Sequence, residues 1–183
     1  AFVSALKSLR YFYFSENRLR AFPQEISGLP ELRVLDLARN WQLAGLIPKT
    51  IRGLRRLRRL DLSETSVEGF EPDGVSTLED LRHLTLDSVL SLHELPSDFS
   101  HLINLEYLDL WESGIQRLDP ALWVFKYVGP WLWLPSRVSL DSCLSFLTAD
   151  QEFRHLLELV PQCTCRMLRS RLGWFSKGLP ASS

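Results

Sequence analysis

The residue types that most often carry out catalysis are sparse and scattered in this sequence. No G-x-S-x-G elbow, H-E-x-x-H helix or glycine-rich phosphate loop occurs, and the four histidines stand far apart in the chain, at His83, His93, His101 and His155. Cys143, near Asp141, is the one cysteine with an acidic neighbour to support a nucleophilic role. Cys143, His155, Cys163 and Cys165 lack the short C-x-x-C pairs typical of zinc sites. We therefore predict no enzyme activity, no metal and no cofactor.

The dominant feature of the sequence is a repeat of 23 to 25 residues. Each unit follows the pattern L-x-x-L-x-x-L-x-L-x-x-N-x-L-x-x-L-P-x-x-I, with Phe, Val or Ile at some of the leucine positions. Self-similarity at such a period is typical of repeat architectures, in which each unit is one small supersecondary element. Five clear units, covering residues 6 to about 124, open at Leu6, Leu29, Leu54, Leu78 and Leu102.

The repeat predicts an α/β solenoid. The alternating L-x-L core, such as Leu35-Asp36-Leu37, indicates a short strand with one buried face, and successive strands should stack in parallel on the concave side. The L-P-x-x-I segment turns the chain onto the convex side, where irregular or short helical turns are expected because Pro ends regular hydrogen bonding. One unit cannot bury its own apolar face, so stacking must make the core continuous, with a helical cap at the C-terminal end.

The Asn position of the repeat predicts ties between the loops of neighbouring units, made by the side-chain amide. Asn17 and Asn40 keep this residue. Thr65 and Ser113 can replace part of its hydrogen bonding, whereas Val89 cannot.

The side chains between the strand leucines should point out of the concave face. One interpretation is a mixed-charge binding surface with aromatic anchors at both ends, since Tyr, Trp and Arg are favoured at binding hot spots. The other is that the Arg and Asp columns neutralise each other and keep the sheet soluble. Trp111 is the best single anchor, because the other units place Ser, Ala or Asp at its position. The candidate partner-binding residues are Tyr11, Tyr13, Arg33, Arg58, Arg82, Tyr107, Asp109, Trp111 and Glu112.

Charge and hydropathy argue against other partners. The formal net charge is -1, and the repeat sends the arginines of residues 52–59 to different faces, so a solvated surface is expected there rather than a nucleic-acid site. No run of 18 apolar residues occurs, so no membrane-spanning helix is predicted. A protein ligand is the expected partner.

Residues 6 to about 122 resemble the intracellular class of leucine-rich-repeat proteins with LP-x-x-I turns. The segments "LRRLDLSETSVEGF" and "HELPSDFSHLINLEYLDLWESGIQRL" are similar to repeats of plant nucleotide-binding immune receptors, and similar repeats occur in bacterial effectors. "LAGLIPKTIRGL" resembles the LxGxIP repeats of plant cell-surface receptors. The resemblance implies a protein-protein interaction module in immune or signalling recognition. The alternative is the substrate-recognition part of an effector ubiquitin ligase, whose catalytic domain would lie elsewhere.

The predicted solenoid covers residues 1–142, and residues 143–183 form a helical cap and basic tail. A degenerate sixth unit has two possible registers. One uses Trp131 and Trp133; the other, which we prefer because Pro130 would interrupt the first, places a strand at Val138 and Leu140.

The C-terminal segment leaves two further alternatives. Its basic and apolar residues after Glu158 indicate either a partly packed tail or an amphipathic segment for a membrane surface or a partner. All three cysteines lie after residue 142, which favours an intracellular location with reduced thiols. "PQCTC" resembles the start of the cysteine-flanked cap of extracellular relatives, which keeps an extracellular location as the alternative.

Overall fold

A computed structural model describes residues 6–116 and the backbone of Leu132–Trp133. Within these residues the main sheet has six strands. In their order across the sheet they are β1 (Tyr11–Tyr13), β2 (Val34–Asp36), β4 (Arg59–Asp61), β6 (His83–Thr85), β7 (Tyr107–Asp109) and β8 (Leu132–Trp133). All neighbouring strands in this sheet are parallel. The predicted parallel concave sheet is confirmed.

The register of the sheet follows the repeat. Leu35 lies beside Leu60, Leu60 beside Leu84, and Leu84 beside Leu108, so equivalent residues of successive units form straight columns. The leucines of the L-x-L cores in units two to five are 0–1% exposed, namely Leu35, Leu37, Leu60, Leu62, Leu84, Leu86, Leu108 and Leu110. The stacked units therefore share one continuous apolar core, as the spacing predicts.

The first unit is less well covered than the others. Phe14 is 36% exposed and Phe12 is half-buried, and their rings stack on each other with centroids 5.6 Å apart. The reason is positional: β1 pairs only with β2 among the described strands, so the core positions of this unit are covered from one side. In this unit the two aromatic rings occupy the positions of the L-x-L leucines.

The convex side consists of turns and short 3-10 helices. These helices span Gln24–Gly28, Lys49–Gly53 and Ser97–His101, and each begins after the proline of the repeat, at Pro23, Pro48 and Pro96. Each buries one apolar side chain of the x-x-I position, for example Ile26 and Ile51. The expectation of irregular or short helical turns is confirmed.

A second sheet was not predicted from the sequence. Strands β3 (Ala44–Ile47) and β5 (Ser66–Phe70) pair in parallel as a separate two-stranded sheet, with a register shift between Gly45 and Leu46. Gly45 has a φ of 81°, a conformation that glycine adopts without steric cost. The signal in the sequence was the "LAGLIP" segment, which carries β3.

The preferred register of the sixth unit was wrong. The strand beside β7 is Leu132–Trp133, with Leu132 next to Leu108 and Trp133 next to Asp109, and not a strand at Val138 and Leu140. Trp133 therefore pairs with the mid-strand residue of β7, so the observed register differs by one residue from the first register as well. Pro130 does not prevent this pairing, because the strand begins two residues beyond it. The predicted cap, basic tail and three cysteines lie outside the described residues.

The Asn position ties adjacent units together, as predicted, at Asn40. Its Nδ2 donates to the carbonyls of Phe14 (2.9 Å) and Leu37 (2.8 Å), and its Oδ1 accepts the amide of Leu19 at 3.1 Å. Asn40 is fully buried, so these bonds are shielded from water. Asn17 is exposed and, among the described residues, bonds only within its own unit. Thr65 bonds within its own unit too, whereas the buried Ser113 hydroxyl has no partner among the described residues.

We expect Asn40→Ala to lower the free energy of unfolding by about 3 kcal/mol, because it removes the side-chain partner of the part-buried Leu19 amide and of the buried Leu37 carbonyl. Asn17→Ala is the matched control and should cost less than about 1 kcal/mol, since water can replace its bonds. Chemical unfolding monitored by circular dichroism measures both variants. Equal losses would show that Asn40 does not tie the units.

Asp98 is a buried carboxylate on the convex side. It is 8% exposed, its Oδ2 accepts the Val75 amide of the preceding unit at 3.3 Å, and its Oδ1 has no partner among the described residues. Burial raises the pKa of Asp98 above its ordinary value of 3.8, and the Val75 amide offsets only part of that effect. Asp98 thus links two units at the expense of a desolvated charge.

Folding raises the pKa of Asp98, so the folded protein binds the proton of this carboxyl more tightly than the unfolded chain does. The free energy of unfolding therefore falls as the pH rises above 3.8 and the carboxyl ionises. Asn cannot ionise. The free energy of unfolding of Asp98→Asn, relative to the unsubstituted protein, should therefore increase between about pH 3.5 and about pH 7. Urea unfolding across this range tests it, with the exposed Asp80→Asn as charge control. A pH-independent difference at Asp98 would contradict the expectation.

Candidate ligand-binding face

The turn that follows each strand is built from hydrogen bonds within and between units. The residue at this turn has a positive φ of 51–58° in all five units, at Glu16, Arg39, Glu64, Ser88 and Glu112. This conformation costs energy in residues other than glycine, but it aims the amide at the next unit. The amides of Glu16, Arg39, Glu64 and Ser88 bond to that unit at 2.7–2.9 Å. The turns therefore extend the ladder of the sheet beyond the strands.

Mid-strand aspartates hold these turns. Oδ1 of Asp36, Asp61 and Asp109 accepts the amide two residues further on, from Ala38, Ser63 and Trp111, at 3.0–3.1 Å. Asp109 was predicted as a partner-binding residue from its exposed position in the strand. In the structure both of its carboxylate oxygens are engaged, since Oδ2 accepts the hydroxyl of Tyr107 at 3.0 Å. Its observed contacts orient Tyr107 and Trp111.

Ion pairs neutralise part of the concave face, but those of Arg39 and Arg82 join Arg to Glu, whereas one of the two interpretations expected the Arg and Asp columns to neutralise each other. Arg39 donates to Glu16 at 2.7 Å and to Glu64 at 3.0 Å, and Arg82 donates to Glu106 at 2.7 Å. Hydrogen bonds and charge from Glu16 and Glu64 raise the pKa of Arg39. These groups are exposed, so each pair contributes little to stability. Their effect is to order the charges into rows across the strands.

A depression of about 530 Å³ opens on the concave face between β4, β6 and β7. It is lined by charged groups of both signs, hydroxyl groups and two aromatic rings. The lining residues are Arg59, Asp61, His83, Thr85, Glu106 and Tyr107. The rings of His83 and Tyr107 stack with centroids 6.0 Å apart and an angle of 28°. Arg59 contacts Asp61 at 3.4 Å across its wall. Such a surface can accept a side chain that is partly apolar and partly hydrogen-bonding.

Of the predicted residues, Tyr107 lines this depression, and Arg58 and Arg82 directly precede two of its strands. Trp111 and Glu112 follow β7, and Trp111 is 37% exposed. Tyr11 (54% exposed) and Tyr13 (66%) lie on β1, four strands away from β7, or roughly 19 Å at the usual strand spacing. Arg33 precedes β2 between the two groups.

Sequence reasoning did not select Arg59, His83, Thr85 or Glu106 as site residues. Each lies at an outward position of the repeat, so the pattern predicted their exposure. Their convergence depends on the sizes of neighbouring side chains across three strands. The outward column of β4, β6 and β7, which reads Arg, His and Tyr, was the available signal.

Burial is the main cause that raises the pKa of Tyr107 to about 12, and the charge of Asp109 and its hydrogen bond add to the effect. The Tyr107 hydroxyl therefore stays protonated and donates to Asp109 throughout the neutral range. The half-buried Asp87 nearby has a raised pKa for the same main reason, burial, although a hydrogen bond from Ser88 opposes the shift.

Comparison with known proteins agrees with this architecture. The family model described as "Leucine rich repeat" matches residues 1–41. A probable disease resistance protein of Arabidopsis thaliana is 45% identical over 82 residues, which cover 45% of this chain and 9% of the relative. The disease resistance protein RFL1 of the same plant is 40% identical over 94 residues, 51% of this chain and 10% of the relative. The chain thus spans about a tenth of the length of these relatives.

Among solved structures, the leucine-rich-repeat ectodomain of the Arabidopsis thaliana membrane receptor kinase GASSHO1/SCHENGEN3 superposes with a TM-score of 0.58. It is 22% identical, and the match covers 72% of this chain and 16% of that one. The fold and the repeat are those of a leucine-rich-repeat solenoid. Its repeats resemble those of plant disease resistance proteins, which are plant immune receptors.

Two further observations describe the chemistry of residues 6–116. No three His, Cys, Asp or Glu side chains in this range are grouped to hold a metal ion. None of the helices there has the length and apolar character needed to cross a bilayer.

We expect Asp109→Asn to lower the pKa of Tyr107, because it removes a negative charge that opposes ionisation of the phenol. The variant keeps an Oδ1 acceptor for the Trp111 amide, so the turn should remain intact. NMR titration of the tyrosine ring carbons measures the pKa, and Tyr107→Phe assigns the resonance. An unchanged pKa in Asp109→Asn would mean that burial alone accounts for the shift.

Proposed function

We propose that this protein recognises a protein ligand through its concave face, in immune or signalling recognition, and does so without catalysis. The observation that carries the proposal is the exposure of aromatic side chains on a sheet whose apolar core is already buried in units two to five. Tyr11 and Tyr13 are more than half exposed, whereas the L-x-L leucines of units two to five are 0–1% exposed. Large exposed rings do not stabilise the repeat, and they are favoured where proteins bind each other.

The architecture supports this proposal because it provides a rigid and extended surface. Parallel strands in register hold equivalent side chains in fixed rows, so a ligand meets a preformed face and little ordering is needed on binding. The relatives support it as well: two are named disease resistance proteins, and the receptor kinase ectodomain was solved in complex with CASPARIAN STRIP INTEGRITY FACTOR 2.

The proposed contact residues form two groups on one face. Tyr11 and Tyr13 anchor the end at β1, and Tyr107, Trp111 and Glu112 form the end at β7. Arg33, Arg58 and Arg82 lie between them. Asp109 acts by holding Tyr107 and Trp111 in place, since both of its oxygens are already bonded to them.

We also propose an intracellular location. All three cysteines lie beyond residue 142, so residues 6–116 contain no disulfide, and no N-x-S/T glycosylation site occurs in the sequence. Peptide mapping without reduction, on protein from its natural source, would reveal a stable disulfide if the protein is extracellular.

The function is tested by affinity capture from the natural source with three proteins: the unsubstituted chain, a Tyr11→Ala, Tyr107→Ala, Trp111→Ala variant, and a Trp41→Ala control. Trp41 is 67% exposed but lies beyond the turn at Asn40, outside the concave strands. A ligand of the concave face should be captured by the unsubstituted chain and the control, and lost by the triple variant. Equal capture by all three would contradict the proposal.

For a ligand identified in this way, Trp111→Ala should weaken binding by about 2 kcal/mol, or roughly 30-fold. It should change the free energy of unfolding by only about 0.5 kcal/mol, as expected for a surface position. Trp41→Ala should leave the affinity unchanged. If Trp111 is instead part of the packing, the substitution should cost about 3 kcal/mol of stability and spare the affinity. A binding titration beside thermal melts separates these outcomes.

A further inference from the structure

A row of arginines crosses the concave sheet at the position directly before each strand. It consists of Arg10, Arg33, Arg58 and Arg82, and is called the arginine row below. The carbonyl of each arginine accepts two amides from the next unit, for example those of Arg33 (2.7 Å) and Val34 (3.0 Å) at Arg10. Their backbones are therefore neighbours at the usual strand spacing of about 4.8 Å. In the fifth unit the row ends at Glu106.

Only the last arginine of the row is neutralised within the described part of the chain. Arg82 donates to Glu106 at 2.7 Å. Arg10, Arg33 and Arg58 make no ion pair or side-chain hydrogen bond with any described residue. Neighbouring acids are engaged elsewhere, since Glu31 binds Arg56 at 2.6 Å. Three like charges on adjacent strands repel one another, so the row does not stabilise the fold by itself.

We propose that a protein partner lays an acidic segment across strands β1, β2 and β4. Arg10, Arg33 and Arg58 bind the carboxylates of this segment. This inference rests on the function proposed above and names the chemistry of the ligand. Glu106 shows what the site accepts: it is a carboxylate at this row, and the adjacent arginine binds it. Carboxylates of a partner would pair with Arg10, Arg33 and Arg58 in the same way, through charge-assisted hydrogen bonds to the planar guanidinium groups.

The surroundings of the row favour a protein segment over a phosphate polymer or a membrane surface. The mid-strand column contains Asp36 and Asp61, and Arg59, which follows Arg58, contacts Asp61 at 3.4 Å. In the turns beyond, Arg39 is bound between Glu16 and Glu64. The row is therefore bordered by a strip in which acidic side chains outnumber basic ones. A polyphosphate or a flat anionic bilayer would contact the acidic side chains as well as the arginines. A peptide with acidic side chains can lie along the arginines only. Tyr11, next to Arg10, adds an exposed ring that the apolar atoms of the bound peptide can contact.

The test uses the full chain and a fluorescein-labelled decaglutamate peptide, with fluorescence anisotropy at low ionic strength. The row variant is Arg10→Gln, Arg33→Gln, Arg58→Gln. The control, Arg18→Gln, Arg20→Gln, Arg55→Gln, removes the same charge from exposed arginines outside the row. The row variant should bind decaglutamate about tenfold more weakly, and the control less than about twofold. Equal losses would overturn the proposal, because net charge would then explain the binding.

Two other probes cover the alternative ligands. A ten-residue oligodeoxythymidine and phosphatidylcholine vesicles containing phosphatidylserine are titrated with the same proteins. If either binds more tightly than decaglutamate and depends on the row, the row is a phosphate or lipid site and the proposal is wrong. Weaker binding of both probes supports it.

Folding and the broader function are separated by two further measurements. The melting temperature of the row variant at low ionic strength should equal or exceed that of the unsubstituted chain, because a repulsion is removed. In the affinity capture described above, a ligand lost by both the aromatic variant and the row variant supports the acidic segment. A ligand lost by the aromatic variant but retained by the row variant overturns the inference and leaves concave-face recognition standing.

Discussion

Each strand of the concave sheet is only two or three residues long, and the whole structure depends on hydrogen bonds that every unit makes to its neighbours. No strand of that length is stable by itself. The carbonyl before each strand receives two amides from the next unit, and the turn after the strand donates another. The leucines of the core are buried by the same neighbours, so stacking satisfies both the hydrogen bonding of the strands and the burial of the core.

This dependence explains why the repeat tolerates exceptions. The Asn position holds Thr65, Val89 and Ser113 in three units, yet the strands that precede them remain paired in register. Backbone bonds connect those units whatever the side chain is, so the Asn amide adds stability where it occurs and is not required everywhere. Asp98 and the Val75 amide are a comparable addition on the convex side, at the cost of a buried charge.

The same stacking determines the binding surface. Because the units are in register, a residue type that recurs at one position becomes a row across the strands, and a change in one unit interrupts that row. Alternation of Glu16, Arg39 and Glu64 gives a row of ion pairs along the turns, with more negative than positive charge. Repetition of arginine before the strands gives a positive one. The depression between β4, β6 and β7 arises where side chains of unequal size meet, and the stacked rings of His83 and Tyr107 form part of its wall.

By itself, the sequence determined the repeat, the parallel sheet, the convex turns after Pro23, Pro48 and Pro96, and the outward positions of the strands. These follow from a period that places leucines on one face and from proline, which ends regular hydrogen bonding. Tertiary structure decided what depends on contacts between units: the pairing of β3 with β5, the sixth strand at Leu132, the engagement of both Asp109 oxygens, and the pairing of Arg82 but not Arg58. A periodic pattern specifies which face a side chain occupies, whereas its partner is chosen by the size and charge of residues some 24 positions away.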